Sequence, residues 1–586
     1  MNDSERSSKQ EPSVAKSLFL GKINQTALFP FPLIPSDEQE TISMVLASVD
    51  KFLEAKAHLF REFDQKGAQP SDYIDALKEL GLFGLIIPEE YGGIGLSNTG
   101  YSRVLQQVTK YDGSTSLTIG AHSSIGMKGL LLFGTESQKQ KYLPSLASGE
   151  RIAAFCLTEP SSGSDAASIK TTAVKQPDGS FILNGEKLWI TNGPLADFFT
   201  VFARTDSDAG KITAFIVERS EGLSHGPKED KMGIRASATS TVVFQNYRIP
   251  PENILGEEGK GFKVAMAILN NGRTGLGGGC VGAMKRAITE AVHQADQRKQ
   301  FGKSIHEFQL IKEKIAQMTV QCYATESVVS MVAHAIDSGH EDYSVEAAIS
   351  KIFASESLWF VGNEALQIAG GNGFMKEYPY ERIVRDSRIN LIFEGTNEIL
   401  RLYISLSGMS DLGAYLKDVQ KSFGGVLSDP IKGFGVFKTY AGKKVGELSS
   451  LGRDKVEGCH PSLQEEAEIV ERYVAAFAAK AEALAKKLGK NIVGSQLISK
   501  RLADIAIDLF ASLCVLSRVS LAINMTSAQA AADELSIAKL FIHQAKRRIN
   551  QNLRRIDRNE DVVLVQLADS MTQRILEKKS YPFDTL

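Results

Sequence analysis

Residues 152–255 carry an extended, β-rich pattern, and the segments on either side of them are helical. That one island of strands constrains the fold most, because the order helical, β, helical, linker, helical describes an α+β protein that is mainly α. Within the island, Phe181-Ile182-Leu183 and Leu188-Trp189-Ile190 flank Asn184-Gly185, a hairpin signal. Phe198–Phe202, Ile212–Val217 and Thr241–Phe244 continue the β pattern up to Pro250-Pro251. Before it, residues 37–151 read as an N-terminal helical domain, with Tyr73, Ile74, Leu77 and Leu80 at helical spacing and Gly81 as a stop. After it, residues 256–408 read as helical again. Glycines and prolines mark 409–461 as a linker, and Ala, Leu, Lys and Glu enrich an extra helical domain over 462–586. Residues 1–36 are polar and then carry Phe29-Pro30-Phe31-Pro32, which reads as an extended arm.

Composition narrows the class. With 43% hydrophobic and 23% charged residues the chain has an ordinary globular make-up. A net charge of −2 offers no field for steering nucleic acid. Cys156, Cys280, Cys322, Cys459 and Cys514 are scattered without a CxxC pair, which speaks against a zinc site or disulfide framework and for a reducing compartment. The start, Met1 to Arg6, resembles neither a secretory signal nor an acid-poor transit peptide. No stretch approaches roughly 18 uninterrupted apolar residues, so the expectation is a soluble protein, or one peripheral to a membrane. Between Ile431 and Lys444, aromatics mixed with lysines leave two readings open. One is an interfacial helix on an anionic membrane; the other, given four glycines from Gly424 to Gly435, is a flexible linker.

Several constellations point to chemistry. Glu394 stands in Phe393-Glu394-Gly395-Thr396 behind the apolar Ile389–Ile392 stretch. Apolar surroundings penalise the ionised carboxylate and raise its pKa, and the following glycine lets backbone approach a ligand. A general base and a loop acid or N-cap both fit that tetrapeptide alone. Phe155–Asp165 leaves a strand into a turn dense in hydroxyls and backbone donors, suited to a flat heteroaromatic ring or equally to a Ser/Gly linker. Trp189-Ile190-Thr191 offers an aromatic and a hydroxyl; Arg298 and Phe301 offer a forked cation and an aromatic. Gln367 to Gly371 offers glycines for close approach, or merely a helix stop. A literal G-x-G-x-x-G at Gly277–Gly282 lies in a helical stretch without a βαβ unit, so close helix packing explains it better than nucleotide binding. Neither a Gly-x-Ser-x-Gly elbow nor HExxH spacing is present, and no metal ligand set is expected.

Taken in order, these motifs resemble the acyl-CoA dehydrogenase family, which binds FAD without a Rossmann fingerprint, over residues 37–408, and the resemblance implies a helical domain, a central β-barrel-like domain and a C-terminal four-helix domain. The resemblance implies that Phe155, Leu157, Thr158, Ile190 and Thr191 meet the flavin, with Trp189 packed against its ring. Ser164 would lie where flavin and acyl-CoA cross. Arg298, Phe301, Gln367, Gly370 and Gly371 would reach the FAD of a neighbouring subunit, which makes the site depend on a homodimer. Thr396, Asn397 and Glu398 would approach the FAD diphosphate or adenosine end. Asn270, Arg273, Phe393 and Gly395 would line the substrate path. Glu394 would take the α-proton while the β-hydride goes to flavin. Gly272 occupies the position from which a subset of the family takes its base, and it has no side chain.

Small residues at Thr118–His122 imply a long acyl pocket, and the 178 residues after Gly408 (586 − 408) resemble the very-long-chain branch and its relative in complex I assembly. The expectation is a long-chain acyl-CoA dehydrogenase of fatty acid β-oxidation, bacterial and cytoplasmic, passing electrons to electron-transfer flavoprotein. An assembly protein that kept the fold, and an acyl-CoA oxidase, are the alternatives.

Overall fold

The computed structural model describes residues 12–205, 211–424 and 454–583. The 424–444 segment read as membrane-contacting thus lies, apart from Gly424, outside the described residues. The chain forms two compact units: Thr26–Leu400 with Met1–Ser13 and Ser517–Ala522, and Arg401–Leu516 with Val14–Gln25 and Ile523–Leu586.

In the first unit, the helices Gln39–Lys56, Ser71–Glu79, Asn98–Tyr111 and Gly113–Gly120 precede the strands. Their starts are chemically marked: the Ser97 hydroxyl accepts from Gly100 N, and the Asp112 carboxylate accepts from Thr115 N. The sheet comprises β1 (Ala153–Cys156), β2 (Thr172–Lys175), β3 (Phe181–Thr191), β4 (Phe198–Arg204), β5 (Ile212–Glu218), β6 (Leu223–Lys228) and β7 (Thr239–Ile249). Its order is β1-β4-β2-β3-β7-β6, with β5 paired to β4. β4 and β5 are buried on both faces, which is why they read as continuous apolar runs rather than alternating ones.

The expected hairpin at Asn184-Gly185 does not form. β3 runs straight through it, because both of its edges are paired, with β2 and with β7. Gly185 instead sits at a register shift, and a Cβ there would lie 2.5 Å from the Thr171 hydroxyl. The turn belongs to Asp178-Gly179, where Gln176 N donates to Ser180 O and joins β2 to β3.

After the sheet come the long helices Gly261–Gln297, Gln309–Asp337 and Ser344–Ala369. The Gly277–Gly282 motif lies in the middle of the first and is a packing device. A Cβ on Gly278 would stand 2.6 Å from Ser102 O, and one on Gly282 would stand 2.0 Å from Gln106 O. Glycine therefore brings this helix against Asn98–Tyr111 at backbone distance.

Two further expectations are corrected. The N-terminal segment is packed rather than an extended arm: Val14–Phe19 and Gln25–Leu28 are short helices, with Leu18, Phe19 and Leu28 buried. Phe19 meets Phe477 edge-on at 4.7 Å in the second unit. Nor does helix end at Gly408, since Asn397–Gly424 is continuous. Gly408 is needed because a Cβ would fall 2.4 Å from the Phe19 ring. In the same unit, the helices Gln464–Leu488, Ala532–Asp557 and Asp561–Lys578 and the Gln496–Leu516 part of the Gln496–Met525 helix are tied by Arg548–Asp508, Arg501–Asp561 and Arg401–Asp504 pairs. Gln496–Met525 is long and apolar enough to cross a membrane, yet 83% of its most apolar window is buried, as in a core helix.

Gly282→Ala should lower stability by about 1–3 kcal/mol, read as an earlier urea midpoint, because the helices must part. Gly413→Ala, with no atom within 4 Å of its Cβ, should not.

Candidate active site

The site begins where the Ile389–Leu391 turn ends. Glu394 takes a left-handed backbone, φ +55°, and Gly395 follows at φ +93°. A glutamate pays strain there, about 1–3 kcal/mol, so the surroundings must hold it. Two cations do so from two helices. Arg273 Nη2 donates to Glu394 O at 3.2 Å, and Lys351 Nζ donates to Gly395 O at 2.8 Å and to Asn397 Oδ1 at 2.9 Å. The helix cap is Thr396, whose hydroxyl accepts from Ile399 N, so the Glu394 carboxylate is not used as an N-cap. Its Oε2 is enclosed and has no hydrogen-bond partner. Burial raises the pKa of Glu394, while the charges of Arg273 and Lys351 pull it back down. The result is a carboxylate with one enclosed, unpartnered oxygen between opposing influences on its charge.

Glu394 and Phe393 stand on the wall of a cavity of about 170 Å³. One wall is a single face of the Gly261–Gln297 helix, made of Gly272, Gly275, Leu276, Gly279, Ala283 and Arg286. From Gly272 to Arg286 that face runs about 21 Å at 1.5 Å per residue. Facing it are Leu105, Gly120, Ala121 and Ser124. Of the Thr118–His122 segment expected to lengthen the pocket, Gly120 and Ala121 line it. Thr118 and His122 are occupied elsewhere: Thr118 donates to Gln69 Oε1, and His122 Nδ1 accepts from Ala153 N. At Gly272 a Cβ would lie 2.9 Å from Ile125, so that position leaves little room for a rival base.

The Phe155–Asp165 loop is pinned from beneath by a buried ion pair. Lys187 Nζ donates to Glu159 Oε1 at 2.7 Å and to Leu157 O at 3.3 Å, while Glu159 accepts from Thr171 N. Leu188 N donates to Thr158 O at 2.9 Å, fixing Thr158 beside β3. Ile190 and Leu157 are buried, and Phe155 packs on Phe202. Trp189, at φ +58°, is instead 63% exposed, Thr191 is half-buried and Ser164 is exposed. Together they form an open aromatic face next to an open polar loop, which a planar ring would cover. Gly163 has no atom within 4 Å of a would-be Cβ, so the loop leaves room for such a group.

The remaining expected residues divide. Asn270 accepts from Arg273 Nη1 at 2.6 Å, so both stand at the Glu394 end. Arg298, Phe301, Gln367, Gly370 and Gly371 are exposed and do not gather at Glu394; Phe301 is 93% exposed. Asn397 is turned inward, its amide donating to Ser355 Oγ and Glu356 Oε1, while Glu398 is exposed. Sequence reasoning missed Lys351 and the Lys187–Glu159 pair. The signal for Lys351 was there: a lone lysine in the otherwise uncharged, mostly apolar run Ala347–Ala354 points to a buried, paired cation.

Family models for the acyl-CoA dehydrogenase N-terminal, middle and C-terminal domains match residues 38–150, 154–247 and 259–408. The model for the ACAD9/ACADV C-terminal domain matches 461–581. The chain is 48% identical over 532 residues to the very long-chain specific acyl-CoA dehydrogenase, mitochondrial, of Macaca fascicularis, covering 89% of this chain and 80% of that one. A crystal structure of an acyl-CoA dehydrogenase complexed with FAD from Bacillus anthracis superposes with a TM-score of 0.79 at 34% identity, over 95% of this chain and 94% of that one. Butyryl-CoA dehydrogenase from Megasphaera elsdenii gives 0.62 at 40% identity, over 64% of this chain and 99% of that one. The fold and site thus define a protein of acyl-group oxidation. This chain belongs to the acyl-CoA dehydrogenase family.

Ala283 lies 11 residues beyond Gly272 on the cavity face, about 16 Å along the helix. Ala283→Phe should therefore lower kcat/KM for palmitoyl-CoA by about tenfold or more and leave butyryl-CoA unchanged, as steady-state assays would show.

Proposed function

We propose that this chain is an FAD-dependent dehydrogenase of long or very-long-chain acyl-CoA, forming the trans-2-enoyl-CoA, with Glu394 as the base. The observation that carries this reading is the enclosed, unpartnered Oε2 of Glu394 at one end of a long, small-residue cavity. The bound acyl chain fills the cavity and sets its α-carbon beside that oxygen. Glu394 takes the α-proton, and chain entry expels water around it, which raises its proton affinity further. Trp189, Thr158 and Thr191 would hold the FAD ring, with Ser164 at its edge. Bound FAD supplies the two-electron acceptor for the β-hydride. The Glu394 backbone N–H is a candidate donor to the thioester oxygen, where charge develops. The reoxidant is electron-transfer flavoprotein.

The same reading includes a homodimer. Exposed Phe301, Phe374 and Gln367, together with the exposed Val562–Val565 run, support contact with a second copy. Light scattering should return the mass of two 63.8 kDa chains, and a monomer at micromolar concentration would refute this part.

Glu394→Gln keeps shape and removes the base. It should retain FAD and its yellow colour, while anaerobic reduction by palmitoyl-CoA slows by roughly 10²–10⁴-fold. Unchanged reduction would mean the base lies elsewhere. The pH dependence has a defined sign. Only ionised Glu394 accepts a proton, and burial raises its pKa. The reduction rate should therefore rise with pH through a midpoint above the ordinary carboxylate range, and fall off as pH drops below it.

A further inference from the structure

Lys351 is fully buried in the Ser344–Ala369 helix, and the chemistry described so far does not use it. Its ammonium spans two acceptors on the Glu394 turn, the Gly395 carbonyl at 2.8 Å and Asn397 Oδ1 at 2.9 Å. Asn397 is itself held by Ser355 and Glu356 of the same helix. Arg273 grips the adjacent Glu394 carbonyl from the Gly261–Gln297 helix. Both cations hold the left-handed backbone, and their charges favour the ionised carboxylate.

We infer that Lys351 is a positioning residue for proton abstraction: it fixes the Glu394–Gly395 turn and supplies the removable half of the positive field that keeps Glu394 ionised. This rests on Glu394 being the base. A buried lysine so near a tunnel must be paired, and burial lowers the pKa of Lys351 to about 8, with Glu394 supporting its charge and Arg273 opposing it. The other titratable groups acting on it are Cys280 and Glu356. Glu394 in turn feels Arg273 and Lys351, and its charge is felt by the Tyr101 phenol on the facing helix. Burial pushes the Cys280 thiol up to about 12 and Tyr101 upward as well, so both stay neutral across the working range. Arg273 stays charged throughout. Lys351 is therefore the cation whose replacement changes the field at Glu394 while leaving the Arg273 contact in place.

The test uses FAD-loaded protein and anaerobic reduction by palmitoyl-CoA across pH. Lys351→Met should keep FAD and bind palmitoyl-CoA within about threefold of wild type. Its reduction rate at pH 7 should fall about 10- to 100-fold, as misplacement of a reacting group does. The midpoint of its rising limb should move up by about one pH unit, as loss of a nearby opposite charge dictates. Lys351→Arg, which keeps the charge, should restore the midpoint more than the rate. A Met variant with the wild-type midpoint and rate would overturn the proposal, as would a slowed variant whose midpoint has not moved. If Lys351→Met fails to fold, Lys351→Gln, which keeps one donor, gives the same reading. If neither folds, Lys351 is a structural residue and the proposal falls. Glu394→Gln distinguishes the two levels. Should it still reduce at the wild-type rate, the base assignment fails; should it be inactive while Lys351→Met is normal, only the role of Lys351 fails.

Discussion

A base for carbon acids must be ionised without being hydrated, and in the proposed reading the Glu394 turn answers that conflict. Water would keep the carboxylate charged but weak, and a bare apolar wall would keep it protonated. Here the positive charge that favours ionisation is anchored on the backbone of the turn, where Arg273 and Lys351 bind consecutive carbonyls, and Glu394 Oε2 has no hydrogen-bond partner. The left-handed φ of +55° is the geometric result. Without the two cations, a non-glycine residue at this φ has little reason to remain there.

That arrangement depends on the helices that carry the cations, and these meet through glycine. Gly278 and Gly282 bring the Gly261–Gln297 helix to backbone contact with Asn98–Tyr111. Gly272, Gly275 and Gly279 lie on the neighbouring stripe and leave the cavity open. One helix thus packs tightly on one side and stays hollow on the next. On the cofactor side the rigid element is electrostatic. Lys187 and Glu159 are both buried, a costly arrangement that is tolerated because each charge is satisfied by the other and by backbone groups. It fixes the loop while Trp189 remains open.

The sequence made some of this legible, and the reasons differ residue by residue. Glu394 stood out because an apolar stretch and a glycine bracket it and because flavin-type motifs precede it in order. The strand block was legible from its texture. Asn184-Gly185 misled because a local turn signal cannot report that β7 pairs with the same strand on its other edge. Gly408 looked like a stop, since sequence does not show that Phe19 needs the space of its missing side chain. Val14–Phe19 was too short for periodicity to stand out from the polar run around it. Lys351 escaped because its partners lie in another segment, and a single buried cation becomes meaningful only once Gly395 and Asn397 are seen above it.

Tunnel length and base strength are linked through water. Each methylene buried in the cavity contributes about 0.8 kcal/mol, so in the proposed reading a long acyl chain binds more tightly than one that occupies only the mouth. The same filling removes the solvent nearest Glu394, and removal of solvent raises its proton affinity. A short acyl group would bind weakly and leave water beside the carboxylate, losing on both counts. The small residues of the Gly261–Gln297 helix therefore do more than admit long chains. In the proposed reading they let chain length itself complete the desolvation that turns a carboxylate into an effective base, so that selectivity and reactivity arise from one cavity.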